Sequence, residues 1–263
     1  MFTLIIAGAC IGFVIGVTGV GGGSLMTPFL LWYGIPAHVA VGTDLLYAAI
    51  TKSSGIVAHQ KQGHISWRAV VALASTSIPG SLITLLLLQF LFTDADEYAS
   101  VIKLSLGIML FITGAFLGLR LVWLTPTIEV SVSQHNLNKQ QYTKLILLGF
   151  PLGMLVTLSS VGAGVIGTML LMIVLPLMPA RYIVGTDLAH AVPLTFVAGI
   201  GHFLLLGNLD WSLLSSLLLG SLPAVYIGSL WSRYIPELWL KTLLSICLIA
   251  IGLTYLVQYT QSV

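Results

Sequence analysis

Charge is what this sequence has least of. Asp, Glu, Lys and Arg make up 7% of its 263 residues, hydrophobic residues make up 57%, and the mean hydropathy is +1.05. A soluble domain carries about 25% charged residues. So sparse a set cannot cover a water-exposed globule, and lipid must be the solvent for most of the chain. A formal net charge of +2 excludes the basic excess that nucleic-acid binding needs. Cysteine is nearly absent: Cys10 and Cys247 lie singly in apolar runs, which excludes a disulfide framework and leaves two small packing residues. HExxH, the Walker lysine loop, GxSxG and the dinucleotide glycine fingerprint are all missing. We therefore expect no enzyme, no metal and no cofactor, and a primary pump would need a separate ATP-binding subunit. The first sixteen residues lack a positive n-region, so the first segment is expected to stay in the mature fold.

What is present is a series of apolar stretches, at 2–33, 39–60, 67–92, 101–124, 142–175, 183–207, 209–231 and 238–257. A helix needs about 20 residues to cross the hydrocarbon core. Six stretches fit one crossing each. The stretches 2–33 and 142–175 are too long for one crossing and short for two, and glycines interrupt both: Gly19, Gly21, Gly22 and Gly23 in one, Gly162 and Gly164 in the other. The expectation is an all-α, multi-pass integral protein of the plasma (inner) membrane, with about eight hydrophobic segments.

The chain repeats itself. Val-Gly-Thr-Asp-Leu occurs at 41–45 and again at 184–188, an offset of 143 (184 − 41). That offset also pairs Gly19 with Gly162, Gly21 with Gly164, Pro36 with Pro179 and His59 with His202. One residue later in register, Gly63 matches Gly207, Trp67 matches Trp211, Ser77 matches Ser221 and Pro79 matches Pro223. Near the ends of the halves Lys103 matches Lys241 and Gly114 matches Gly252. We read residues 1–124 as a first membrane repeat, 125–141 as a polar linker and 142–263 as a second repeat, a recurring design among secondary transporters.

Positive charges discriminate between two topologies. If each glycine-broken stretch crosses once, the basic residues divide five against four, which gives no orientation. If each is a re-entrant hairpin, Lys61, Arg68, Arg120, Lys139, Lys144, Arg181, Arg233 and Lys241 share one face, opposite Lys103 beside Asp94, Asp96 and Glu97. That asymmetry is what the positive-inside rule describes. It implies inverted repeats, a cytoplasmic linker and both termini outside.

Three constellations could carry chemistry. The run Gly19–Ser24 would form a hairpin tip whose following half-helix, opening at Ser24, points free N–H groups and a positive dipole end at the midplane; Gly162 and Gly164 would mirror it. Close helix packing through small residues is the plainer alternative. The Gly-Thr-Asp pairs, Thr43-Asp44 and Thr186-Asp187, place a carboxylate in lipid twice. Each is either a proton-handling or site-organising group or a cap near a helix start. Lys52, midway along 39–60, is either an anion anchor or the structural partner of a carboxylate such as Asp187. His190 follows Asp187 on the same helix face and could relay a proton or be a bonded core residue. His59 and His202 suit interfacial polar roles and Trp67 and Trp211 interface anchors. Pro79 and Pro223 are expected to kink their helices.

Taken in order, Gly19-Val-Gly-Gly-Gly23 with Pro28, His38-Val-Ala-Val-Gly-Thr43, Gly63 with Trp67, Ile78-Pro-Gly80, Val184-Gly-Thr186, Gly207-Asn-Leu-Asp-Trp211 and Pro223 resemble the sulfite exporter TauE/SafE family of membrane permeases over nearly the whole chain. The resemblance implies transport, often export, of sulfur-containing anions such as sulfite and organosulfonates. Two departures stand out: Asp44 and Asp187 occupy a position that is often Ser in the family, and the second glycine tip is thinner than the first. The expected function is a secondary transporter of a small anion, in which the glycine tips, Thr43, Thr186 and Lys52 bind substrate, and Asp44, Asp187 and His190 couple a proton or organise the site. A cation carrier using the paired aspartates and a non-transporting membrane subunit are the alternatives. The expected partners are the small anion and the bilayer, with no nucleic acid.

Overall fold

A computed structural model describes residues 2–18, 23–92, 95–122, 137–207, 209–231 and 237–262. Among them are ten helices and no strand: α1 (Phe2–Thr18), α2 (Gly23–Trp32), α3 (Ala37–Lys61), α4 (Trp67–Leu91), α5 (Ala95–Val122), α6 (Lys139–Ser159), α7 (Val165–Val174), α8 (Ala180–Leu206), α9 (Trp211–Trp231) and α10 (Glu237–Ser262). Gly19, Gly21 and Gly22, and the linker up to residue 136, lie outside the described residues.

Local sequence explains the boundaries. Pro36 and Pro179 stand at the N-caps of α3 and α8, where the missing N–H leaves nothing unpaired. Gly63 and Gly207 close the same two helices with φ of 69° and 66°, a left-handed turn that glycine adopts without strain. Asn138 and Gln141 form a reciprocal capping box at α6, so helix begins at Lys139, inside the stretch read as linker. α4 and α9 remain helical through Pro79 and Pro223.

Six helices (α4, α5, α6, α8, α9 and α10) are long and apolar enough to cross a membrane. The expected stretches 2–33 and 142–175 each divide at the glycines into a longer and a ten-residue helix. α3 has 25 residues but is not among the six, because Asp44, Lys52 and several hydroxyls dilute its hydropathy. It is interior, with Val41 through Ala49 all buried. Lipid as solvent also explains α4, whose Leu82, Ile83, Leu86, Leu87 and Phe90 are exposed while Ser77, Ser81 and Thr84 are buried. Without a hydrophobic drive between helices, close backbone approach and hydroxyl bonding hold them together.

Glycine contacts fix the helix directions. Gly8, Gly12 and Gly16 of α1 pack on Leu217, Ser221 and Val225 of α9, so these helices are parallel. α4 and α6 are parallel as well: Gly149 packs on Leu73, Gly153 on Ser77, and Thr157 Oγ1 donates to Ser81 Oγ at 2.7 Å. α3 and α8 are antiparallel, with Gly199 on Leu46, Gly55 on Leu188 and Gly185 on His59. α5 and α10 are antiparallel too, with Gly107 on Tyr255 and Gly114 on Ser245. The hydroxyls of Thr3 and Tyr33 lie 3.0 Å apart, so α2 ends at the level where α1 begins. Leu137, Leu145 and Ile146 share a core cluster with Val174, Leu175 and Met178, so α7 likewise returns to the start of α6.

Candidate functional site

The antiparallel crossing of α3 and α8 brings Asp44 and Lys52 on one helix to Asp187 and His190 on the other. Each aspartate follows a short helix and accepts from a threonine on it. Thr27 of α2 donates to Asp44 Oδ2, and Thr168 of α7 donates to Asp187 Oδ2 at 3.1 Å. The second oxygen of each carboxyl, Oδ1, is buried with no hydrogen-bond partner.

The α6–α7 connection supplies the third wall. It turns through Ser160 at φ 57°, Gly162 at 106° and Gly164 at 146°, and the Ser159 hydroxyl accepts from Val161 N at 3.2 Å. These left-handed values explain why glycine stands there. Lys52 is 7% exposed, and its Nζ donates to the carbonyl oxygen of Ala163 in this turn. An ammonium has three donors, and Asp44 and Asp187 are the charges that act on it.

Beside this turn lies a cavity of about 660 Å³ between α1, α3, α7, α8 and α9. Lys52, Gly164, Thr168 and Asp187 line its depth, and His59 and Arg181 line it nearer the helix ends. Arg181, exposed at the start of α8, marks its mouth, and Ser54, also exposed, lines it further along α3. Ile15 and Val225 complete an apolar side. A small anion here would meet the Lys52 ammonium, hydroxyls such as those of Ser54 and Thr168, and the Gly164 backbone, with the Arg181 guanidinium nearer the mouth and the Asp187 carboxyl facing them. A second hollow of about 740 Å³ at the α2–α5–α10 junction has walls such as Phe29, Trp32 and Tyr255, with Lys103 at its edge; it contains no residue of the predicted site.

The structure therefore sorts the sequence candidates. Lys52, Gly164 and Asp187 share the cavity. Asp44 is fully buried beside Ser160, whose hydroxyl is also unpaired. Gly162 packs on Met109. Ser24 is buried in the first turn of α2, which Gly23 opens. Thr43 and Thr186 are instead ties between the halves. Thr186 Oγ1 accepts from Ser66 N at 2.9 Å, and Thr43 Oγ1 faces Asp210 N at 3.5 Å. His190 Nε2 lies 2.8 Å from Ser77 Oγ, in the α4–α8 contact. Sequence reasoning missed Thr27, Thr168 and the carbonyl of Ala163, and it gave Arg181 only a topological role and His59 only an interfacial one.

Comparison with known proteins agrees with this architecture. Residues 4–255 match the family described as sulfite exporter TauE/SafE. The chain is 36% identical over 219 residues to the probable membrane transporter protein YjnA of Bacillus subtilis, covering 83% of this chain and 85% of that one. It is 31% identical over 212 residues to YdhB of the same organism, also named a probable membrane transporter protein, covering 80% and 82%. The probable membrane transporter protein MJ0441 of Methanocaldococcus jannaschii is 28% identical over 211 residues, covering 76% and 71%. No solved structure matches the chain.

Proposed function

The chain belongs to the sulfite exporter TauE/SafE family, and from that premise we propose that it is a secondary transporter exporting a small sulfur oxyanion, such as sulfite or an organosulfonate, by alternating access between two inverted halves. The observation that carries the proposal is the Lys52 ammonium, buried at membrane depth, bonded to the α6–α7 turn and facing a cavity of about 660 Å³. A lysine at the bilayer centre costs about 3 kcal/mol or more, and a bound anion would share its charge with Asp44 and Asp187 beside it.

Helix directions support the inverted relation. Counterpart helices under the repeat, α3 with α8 and α5 with α10, are antiparallel, while α1 on α9 and α6 on α4 are the same packing with the halves exchanged. The return of α2 and α7 to the levels of Thr3 and Leu137 supports re-entrant hairpins. With those hairpins, the cavity mouth lies on the face of Lys61, Arg68, Lys139 and Arg181, which the positive-inside rule makes cytoplasmic. In this mechanism the anion enters past Arg181, binds Lys52 and the glycine turn, takes the Thr168 hydroxyl from Asp187 once that carboxyl is protonated, and leaves on the other face after the halves exchange conformations. Asp187, with one oxygen unpaired in the cavity wall, takes up a proton so that anion and carboxyl can share the site.

Purified protein in liposomes should move labelled sulfite or a short alkylsulfonate, faster under a pH gradient. Absence of flux for every such anion, with the protein shown to be folded, overturns the proposal. Flux that follows a cation and is lost in both Asp44→Asn and Asp187→Asn would instead support the carboxylates as cation ligands.

A further inference from the structure

The cavity has a counterpart whose deeper part is filled by packed side chains. Under the 143-residue offset, cavity-wall residues Thr51, Gly55, Ala180, Val184 and Leu188 correspond to Leu194, Ala198, Ala37, Val41 and Leu45. These five scattered counterparts all fall in one buried core cluster, at the opposite ends of α3 and α8. Tyr255, the counterpart of cavity-lining Leu117 under the 138-residue offset that pairs Gly114 with Gly252, packs against that same cluster, and with Ala37 it borders the hollow of about 740 Å³ on the outer side of these residues.

The closed region is also more polar than a permanent core needs to be. Thr195 stands where Lys52 stands, Ser81 where Val225 stands and His202 where His59 stands, and all three are fully buried. Thr195 donates to Ala191 O at 2.9 Å and His202 Nε2 lies 3.0 Å from Thr157 O, while His202 Nδ1 and Asp44 Oδ1 have no partner. Buried polar atoms without a partner cost free energy, and a state that opens them to water lowers that cost.

We propose that the surface formed by Ala37, Val41, Leu45, Leu194, Thr195 and Ala198 is the wall of a second vestibule for the same small anion, closed in this structure, which opens at the face where α1 begins and α10 ends. It rests on the inverted-repeat transporter proposed above and adds the residues of the state not seen. Because Thr195 replaces Lys52, no lysine stands at the corresponding depth of the second vestibule, where Lys103 borders only the outer hollow, and Lys52 serves both states from the centre. His38 replaces Arg181 and His202 replaces His59 at the second mouth.

Cysteine labelling tests this in the full chain. With Cys10 and Cys247 replaced by Ser, single variants Thr195→Cys, Ala198→Cys and Ser54→Cys are treated with a membrane-impermeant sulfonated maleimide, in right-side-out and inside-out vesicles. Ser54→Cys should react only from the face of the cavity mouth. Thr195→Cys and Ala198→Cys should react from the opposite face, about 10- to 1,000-fold more slowly, since a minor state is populated at about 0.1–10%. Both remaining unlabelled from that face, while Ser54→Cys labels and anion flux persists, overturns the vestibule. Labelling from that face without any sulfite or sulfonate flux supports the vestibule and removes only the substrate assignment.

Discussion

Replacing Lys52 by Met keeps the length of the side chain and deletes its charge. In the free protein this removes the bond to the Ala163 carbonyl, and in the loaded protein it removes the charge-assisted bond to the anion. A unit charge pair at 4 Å is worth about 4 kcal/mol at an effective dielectric of about 20. Desolvation offsets part of that, and measured bonds to charged groups contribute about 1.5–3 kcal/mol. At about 1.4 kcal/mol per factor of ten, Lys52→Met should raise the half-saturating sulfite concentration about 10- to 150-fold. The assay is labelled-sulfite counterflow in proteoliposomes over a concentration series, which separates KM from maximal rate. Thermal unfolding of the detergent-purified variant serves as the check on folding. A KM within about twofold of the parent, in a folded protein, removes Lys52 from the anion site, because among the described residues the other fixed cation on the lining is Arg181, nearer the mouth. Lys52→Arg should recover part of the affinity but not all of it, since a planar guanidinium cannot retrace a single ammonium contact in a buried wall.

Asp187→Asn should abolish the acceleration of flux by a pH gradient while leaving anion counterflow measurable; a variant that still responds to the gradient like the parent would falsify proton uptake at Asp187. Thr186→Val should lower the unfolding temperature by the loss of one buried bond, about 1 kcal/mol, with KM for the anion unchanged; a raised KM would return Thr186 to the substrate site. Gly153→Val should destabilise the protein by about 1–3 kcal/mol through overpacking, because a Cβ there would meet Ser77 O at 2.0 Å. An unfolding temperature equal to the parent's would show that α4 and α6 do not pack this closely.

Much of the architecture was legible because lipid leaves few choices. Long apolar runs must be helices, and the repeated Val-Gly-Thr-Asp-Leu divided the chain before any coordinates. The two glycine-broken stretches were visible for the same reason, as lengths fitting neither one crossing nor two. Which helix packs on which was not legible. α1 lies on α9 rather than on a neighbour in sequence, and the hydrophobic pattern of a lipid-facing helix does not name its partner. The site was only half legible. Thr27 and Thr168 do the same task for equivalent aspartates, yet the offset of 143 pairs Thr27 with Leu170 and Thr168 with Leu25. Comparing the halves therefore hides them, and only the approach of each short helix to its carboxylate reveals them.

Asp44 and Asp187 carry the deeper lesson, because sequence makes them twins and structure does not. Both sit in a Gly-Thr-Asp turn of an antiparallel pair, but Asp187 lines a cavity and Asp44 is sealed behind Thr27 and Ser160. Each accepts from a threonine of its own short helix, so we read the difference in exposure as one of conformation. The break in charge between the halves near them is Lys52, whose counterpart is Thr195. A single cation between two carboxyls can neutralise one at a time, and the anion must compete for it with whichever carboxyl is exposed. Exchanging the conformations of the halves would bring Asp44 to a cavity and seal Asp187. On that account the two variants should differ by face: Asp187→Asn alters anion binding measured from the side of Arg181, and Asp44→Asn alters it from the other side. Binding that changes equally from both faces in both variants would mean that the aspartates only brace the helices.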